Sequence, residues 1–283
     1  MKSRGRPAFA AVLALCGLGA LACGGTTGAG AAPASQGAVE NGSGTVKAVS
    51  DAAQPARSAK PLAGRVIVID PGHNGGNYKH PEIINKQVNV LTKWKACDTT
   101  GTATNDGYSE AAFNWDVSLR LAKLLRAKGA TVKLTRADNT SAGPCITKRA
   151  AIGNAAKADA AISIHADGAG PSNHGFHVIM PKKINGPVDP VVAKSRKLGI
   201  TIRDAVHKGT GQAYSTYIGK NALDYRSDLG GLNLSTVPKI FLESGNMRHA
   251  GDAAKLKDPA FRQKLAAALA QGFQTFLRSA SRP

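Results

Sequence analysis

Short apolar runs alternate with longer amphipathic segments over most of this chain, and this alternation constrains the fold more than any other feature. Some runs have the length of buried strands; they are residues 64–70, 130–136, 160–167, 175–181 and 237–246. Other segments have apolar residues at helical spacing; they are residues 109–129, 145–158, 190–209 and 258–280. The pattern predicts an α/β fold, a single domain whose mostly parallel twisted sheet carries helices on both faces.

Three of the predicted strands end in a residue that can bind a metal or transfer a proton. The run VIVID is followed by Pro-Gly-His73, the run AISI by His165 and the run IFL by Glu243. The carboxyl ends of parallel strands meet at one edge of the sheet, where α/β proteins bind their ligands. A capped or solvated strand end explains any one of these residues, but three at the same edge indicate a shared site.

Glu110 adds a fourth candidate from the first turn of a predicted helix. Glutamate is scarce in the predicted domain, where Glu82, Glu110 and Glu243 are the only ones. The strand–helix connection brings Glu110 back to the same sheet edge, although a favourable interaction with the helix N-terminus explains its position equally well.

Two histidines and a carboxylate are a standard ligand set for catalytic zinc. A second carboxylate nearby can take a proton from water and pass it to a leaving nitrogen. This set suits hydrolysis of an amide, and the sequence contains no G-x-S-x-G, P-loop or H-E-x-x-H motif.

The N-terminus has the anatomy of a secretory signal: a basic flank, an apolar stretch of about 15 residues and small residues before Cys23. The apolar stretch is shorter than the roughly 20 residues of a membrane span. Two processing routes remain open, cleavage after Ala22 or lipidation of Cys23. We therefore predict a signal peptide over 1–23 and export to the periplasm or cell wall, with membrane contact only through a lipid on Cys23.

Residues 24–61 contain no aromatic residue and are rich in Gly, Ala, Ser and Pro. Such a segment buries too little apolar surface to offset chain entropy, so we predict a disordered tether ahead of a catalytic domain at 62–283. That domain contains two cysteines, Cys97 and Cys145, which in an exported chain predict one disulfide. Two unpaired thiols are the alternative.

The chain carries a formal charge of +19. This charge suits anionic wall polymers or anionic lipid, or simply forms a solvated basic surface. Nucleic acid is not an expected partner, because the basic residues are scattered, aromatic residues make up only 5% of the chain and export is predicted.

Four stretches together resemble the zinc-dependent N-acetylmuramoyl-L-alanine amidases of the amidase_3 type. They are VIVIDPGHNGG (66–76), Glu110 with the helix that follows it, KRAAIGNAAKADAAISIHAD (148–167) and IFLESGNM (240–247). The resemblance covers residues 64–280, and it is nearest to actinobacterial exported members that lack a separate wall-binding module.

The resemblance implies that His73, Glu110 and His165 bind one Zn²⁺ per chain and that Glu243 is the catalytic carboxylate. It also implies that the substrate is peptidoglycan or muropeptide fragments, cleaved at the amide between N-acetylmuramic acid and L-alanine. Two alternatives remain: a zinc peptidase that acts within the stem peptide, and an inactive wall-binding adaptor of the same fold. A monomer is the default expectation.

Several further expectations concern the surroundings of these residues. Residues 77–108 separate His73 from Glu110, and within them residues 87–95 alternate like one arm of a hairpin. We predict that this insertion is a flap that restricts access or contacts glycan, with a merely decorative loop as the alternative.

Asp70 and Asn74 are candidate partners for orienting the imidazole of His73. For His177 two readings remain, a structural role in its strand or a strand position near a substrate. Residues 226–233 are polar and rich in glycine, and they are candidates for lining a peptide-binding cleft.

Overall fold

The computed structural model describes residues 60–279. The predicted signal peptide over 1–23, the tether as far as residue 59 and the last four residues lie outside the described residues. Within the described range, no helix combines the length and apolar character that crossing a membrane requires.

A six-stranded sheet forms the centre of the described domain. The strands, including a separate two-stranded hairpin, are β1 (Val66–Pro71), β2 (Gln87–Asn89), β3 (Trp94–Ala96), β4 (Thr131–Leu134), β5 (Ala160–Asp167), β6 (His177–Pro181), β7 (Leu223–Arg226) and β8 (Lys239–Asn246). The sheet order is β4-β1-β5-β8-β6-β7. Strands β4, β1, β5 and β8 are parallel, β6 is antiparallel to β8, and β7 is parallel to β6. The predicted mostly parallel sheet is confirmed.

The helices are α1 (Pro81–Ile84), α2 (Glu110–Ala127), α3 (Ile146–Ala155), α4 (Val192–Thr210), α5 (Gly230–Asn233), α6 (Ala250–Lys257) and α7 (Pro259–Ser279). The four long helices predicted from the sequence correspond to α2, α3, α4 and α7. Strand β7 and helix α6 were not predicted, because β7 has only four residues, all of them half-buried, and α6 has only eight.

Helices cover both faces of the sheet. Ile67 and Ile69 of β1 belong to the main core, which α2, α4 and α7 complete, whereas Val68 belongs to a smaller cluster that includes Ile152 of α3. Successive residues of a strand point to opposite faces, so a strand covered on both sides is apolar throughout. This explains why the runs in the sequence are continuous rather than alternating.

The start of α2 matters most for the site. Ser109 is the N-cap and its side chain accepts a hydrogen bond from the backbone N–H of Ala112, which satisfies one of the free donors of the first turn. Phe113, Val117 and Leu121 anchor the helix in the core. Glu110, the first helical residue, is thereby held in a buried position at the carboxyl edge of β1 and β5.

Candidate metal centre and active site

The four predicted site residues meet at the carboxyl edge of the parallel strands. His73 lies two residues beyond the end of β1, and His165 in β5 is in register with Glu243 in β8. Glu110 reaches the same edge from the start of α2. All four line one open cleft of about 310 Å³.

His73, Glu110 and His165 form a group that can hold a metal ion, because one potential ligand atom from each lies within 4.8 Å of the others. Nδ1 of His165 is 2.9 Å from Oε1 of Glu110, and Nε2 of His73 is 3.4 Å from Oε2 of the same carboxylate. Within residues 60–279, no lysine or arginine lies within 4 Å of the Glu110 carboxylate. Glu243 lies in the cleft but outside this group.

The outer nitrogen of each imidazole is also engaged. Nδ1 of His73 lies 3.0 Å from Oδ1 of Asp98 and 3.1 Å from the carbonyl oxygen of Thr99. Nε2 of His165 lies 3.2 Å from Oγ of Ser163. Histidine ligands of metals usually make such a contact through the second nitrogen, which fixes the tautomer and the ring orientation. The donor set and its surroundings therefore fit a bound zinc ion.

Neither Asp70 nor Asn74 is the direct partner of the His73 ring, contrary to our expectation. The side chain of Asn74 donates to the carbonyl oxygen of Gly143. Asp98 is the carboxylate that contacts Nδ1 of the ring, and the sequence reasoning missed it because it lies in the irregular insertion. Its position directly after Cys97 was the available signal, since the predicted disulfide restrains that point of the insertion.

Asp70 reaches both imidazoles indirectly, through a buried charged network. Arg149 donates to Oδ1 of Asp70 at 2.9 Å and to Oδ2 of Asp98 at 3.0 Å. Oδ2 of Asp70 accepts from Lys239 at 3.0 Å and from Ser163 at 2.9 Å. Although burial raises the pKa of Asp70, the charges of Lys239 and Arg149 outweigh it and hold that pKa far below its ordinary value. The outer nitrogens of both histidines are thus connected through one set of polar side chains.

Two glycines allow the backbone to approach the site closely. A Cβ atom on Gly72 would lie 2.2 Å from Cε1 of His165, and one on Gly101 would lie 2.7 Å from Oε2 of Glu110. Gly101 also has a φ of +75°, which favours glycine. The neighbouring N–H of Thr102 donates to Oε2 of Glu110 at 2.9 Å. The last third of the insertion is therefore part of the site rather than only a cover over it.

Glu243 lies in an environment that favours its protonated form. Burial raises the pKa of this carboxyl well above its ordinary value, and the negative charges of Glu110 and Asp167 raise it further. His177 in β6 is buried and is paired across the sheet with Glu243. Burial lowers the pKa of His177 to about 4, so its imidazole is neutral at pH 7.

A smaller cavity of about 190 Å³ adjoins the metal-binding group. Phe241 stacks on the His165 ring with centroids 5.3 Å apart and forms one wall. The lining also includes residues 229–231 and Lys95 of β3. Part of the segment 226–233 therefore borders a cavity next to the candidate metal site.

The insertion contains a complete hairpin. Residues 87–95 were expected to form one arm, but β2, a turn and most of β3 lie within them, because the alternation continues through a tight turn. Asn233 donates to the carbonyl oxygen of Val90, and Thr92 donates to that of Ser227, so the hairpin is fixed to the neighbouring loop. The predicted Cys97–Cys145 disulfide is present and joins the end of the hairpin to the start of α3.

Comparison with known proteins agrees with this geometry. Residues 67–275 match the family model Amidase_3, described as N-acetylmuramoyl-L-alanine amidase. Over 218 residues the chain is 39% identical to the N-acetylmuramoyl-L-alanine amidase Rv3717 of Mycobacterium tuberculosis, an alignment that covers 76% of this chain and 88% of the relative.

Two solved structures have the same fold at substantial identity. The N-acetylmuramyl-L-alanine amidase Ami1 from Mycobacterium smegmatis matches with a TM-score of 0.73 and 38% identity, covering 77% of this chain and 99% of that one. Ami1 from Mycobacterium abscessus, in its apo form, matches with a TM-score of 0.71 and 42% identity, covering 76% and 100%. The chain therefore belongs to the N-acetylmuramoyl-L-alanine amidase family Amidase_3.

Proposed function

We propose that this protein is a zinc-dependent peptidoglycan hydrolase that cleaves the amide between N-acetylmuramic acid and the L-alanine of the stem peptide. The observation that carries the proposal is the convergence of three ligand atoms within 4.8 Å, from His73, Glu110 and His165, beside a fourth, partly buried group, Glu243. The names of the relatives supply the bond that is cleaved.

We propose His73, Glu110 and His165 as the ligands of one zinc ion. When bound there, zinc supplies Lewis-acid chemistry, since it polarises a carbonyl oxygen and lowers the pKa of water. The buried Glu110 carboxylate has two imidazoles beside it and no lysine or arginine within 4 Å among the described residues, so a cation at this position would compensate its charge.

We propose Glu243 as the general base and then the general acid. Its carboxylate takes a proton from the attacking water and delivers it to the leaving nitrogen of the amide. A base works best when its pKa is close to the working pH. Burial and the nearby negative charges of Glu110 and Asp167 raise the pKa of Glu243 above its ordinary acidic value, and therefore towards the working pH.

The two alternatives make different predictions about the products. A zinc peptidase would use the same residues but cut within the stem peptide, and an adaptor would bind the wall without any hydrolysis. An adaptor has no use for a partly buried Glu243 with a raised pKa next to three residues that could hold a metal ion, so the geometry favours an enzyme.

The test is mass spectrometry of the products formed from purified muropeptides. We expect intact stem peptides with a free N-terminal alanine, and we expect their release to stop on chelation and in Glu243→Ala. Cuts at other peptide bonds would establish the peptidase, whereas bound zinc without any product would establish the adaptor.

We also propose that the protein acts outside the cytoplasm as a monomer, exported by residues 1–23 and joined to its tether at 24–61. Export is compatible with either processing route, cleavage after Ala22 or lipidation of Cys23. The hairpin of the insertion is proposed as one border of the substrate cleft, since Lys95 and Ala96 of β3 line the cavity beside His73.

A further inference from the structure

Three cations surround one carboxylate at the rim of the cavity beside the candidate metal site. Arg226 donates to both oxygens of Asp228, at 2.7 and 2.8 Å. Lys93 lies 3.2 Å and Lys95 lies 3.7 Å from Oδ2 of the same group. Among the described residues, Asp228 is the only carboxylate within 4 Å of these three cations. The cluster therefore has two positive charges in excess at short range.

Lys95 is the member of the cluster that lines the cavity, together with His73 and His165. Its Nζ atom is too far from Asp228 for a good hydrogen bond, and its side chain is 32% exposed. Burial and the charges of Lys93 and Arg226 lower the pKa of Lys95, while Asp228 opposes them. An additional anion at this point would stabilise the ammonium group.

The cavity of about 190 Å³ is lined by the two histidines and by Lys95, so it connects the candidate metal site with the cationic cluster. Phe241, Ile146 and Leu229 provide apolar walls suited to a methyl side chain. A peptide that enters this cavity at the histidines is therefore directed towards Lys95.

On the basis of the proposed function, we propose that Lys95, supported by Lys93 and Arg226, binds a carboxylate on the second residue of the stem peptide. The enzyme then prefers stems in which this carboxylate is free over stems in which it is amidated. Charge-assisted hydrogen bonds to a carboxylate are about twice as strong as neutral ones, which is the physical source of the preference.

The test compares two N-acetylmuramoyl dipeptides that differ only in a free or an amidated carboxyl on the second residue. We expect the wild-type protein to give a kcat/KM about tenfold higher for the free acid. In Lys95→Gln the ratio of kcat/KM for the free acid to kcat/KM for the amide should fall close to one, mainly through a higher KM for the acid. Lys95→Arg should restore the wild-type ratio. Added salt should reduce the ratio, because the cluster is partly exposed.

Lys86→Gln is the matched control, because Lys86 is exposed in the same insertion and does not line the cavity. It should keep the wild-type ratio. If Lys86→Gln lost the preference for the free acid as fully as Lys95→Gln does, the proposal would be overturned.

Calorimetric binding of both dipeptides to Glu243→Gln separates this proposal from the proposed function. Equal hydrolysis and equal binding of the two substrates would disprove the carboxylate site and leave the amidase activity intact. If neither dipeptide is hydrolysed, tighter binding of the acid that depends on Lys95 would still support the site, and equal or absent binding would disprove it.

Discussion

Asp98 holds the imidazole of His73 through a contact of 3.0 Å between Oδ1 and Nδ1. The same carboxylate is held by Arg149, whose Nη2 lies 3.0 Å from Oδ2. The orientation of one proposed metal ligand therefore depends on a residue of the insertion and on a residue of α3.

Asp98→Ala should lower the affinity for zinc by about 10- to 100-fold, the usual effect of losing a group that orients a metal-binding histidine. The measurement is competition with a chromophoric chelator. Asp106→Asn is the control, since Asp106 lies in the same insertion but contacts Lys257 rather than the site. An unchanged affinity in Asp98→Ala, with native circular dichroism, would show that the contact does not orient the ligand.

Removing the disulfide with Cys97→Ser and Cys145→Ser should lower the free energy of unfolding by about 4 kcal/mol in the chain-entropy model. The bridge closes a loop with a sequence separation of 48. Since Asp98 directly follows Cys97, zinc affinity should fall as well. Urea unfolding and the chelator assay measure the two effects, and a loss of stability without any loss of affinity would show that Asp98 is positioned independently.

His73→Ala and Glu243→Gln should separate binding from chemistry. The first should lose both zinc and activity because it removes a ligand, and the second should keep about one zinc per chain but lose hydrolysis. Metal analysis after gel filtration, with muropeptide hydrolysis on the same samples, measures both. Zinc retention in His73→Ala would remove His73 from the ligand set.

Asp167→Asn should shift the acid limb of the pH–rate profile to lower pH. The negative charge of Asp167 helps to raise the pKa of Glu243, so removing it makes the carboxylate form available at a lower pH. The measurement is kcat/KM against pH on one muropeptide, with Asp204→Asn on the exposed surface as the control. An acid limb that stays at the same pH or moves to higher pH in Asp167→Asn would contradict the assignment of Glu243 as the base.

Asp70→Asn should cost about 3 kcal/mol of stability at pH 7, since it leaves two buried cations partly uncompensated. The pKa of Asp70 is lowered by folding, so its stabilising effect is complete above the unfolded value near pH 4 and declines as the pH falls towards the folded pKa. Urea unfolding with a chelator present, at pH 7 and pH 3, should show the gap between wild type and variant narrowing by about 1 kcal/mol. If the difference in free energy of unfolding between wild type and Asp70→Asn were the same at pH 7 and pH 3, this would argue against a charged Asp70.

The sequence by itself determined the α/β architecture and the sheet edge at which His73, His165 and Glu243 meet. Continuous apolar runs require a sheet covered on both faces, and parallel strands place their carboxyl ends together. The cysteine pair, taken together with the predicted export, was sufficient to predict the disulfide.

Only the tertiary structure decided how the insertion contributes to the site. Asp98, Gly101 and Thr102 contact His73 or Glu110, and Lys95 lines the neighbouring cavity. Asp98, Gly101 and Thr102 lie in a stretch without helical or strand periodicity, and the alternation that includes Lys95 does not show which face meets the site, so these contacts depend on long-range packing and a disulfide rather than on local pattern. Asp70 was expected to contact the His73 ring but acts through Arg149 and Ser163, because hydrogen-bond partners are chosen by three-dimensional proximity and not by adjacency in the sequence.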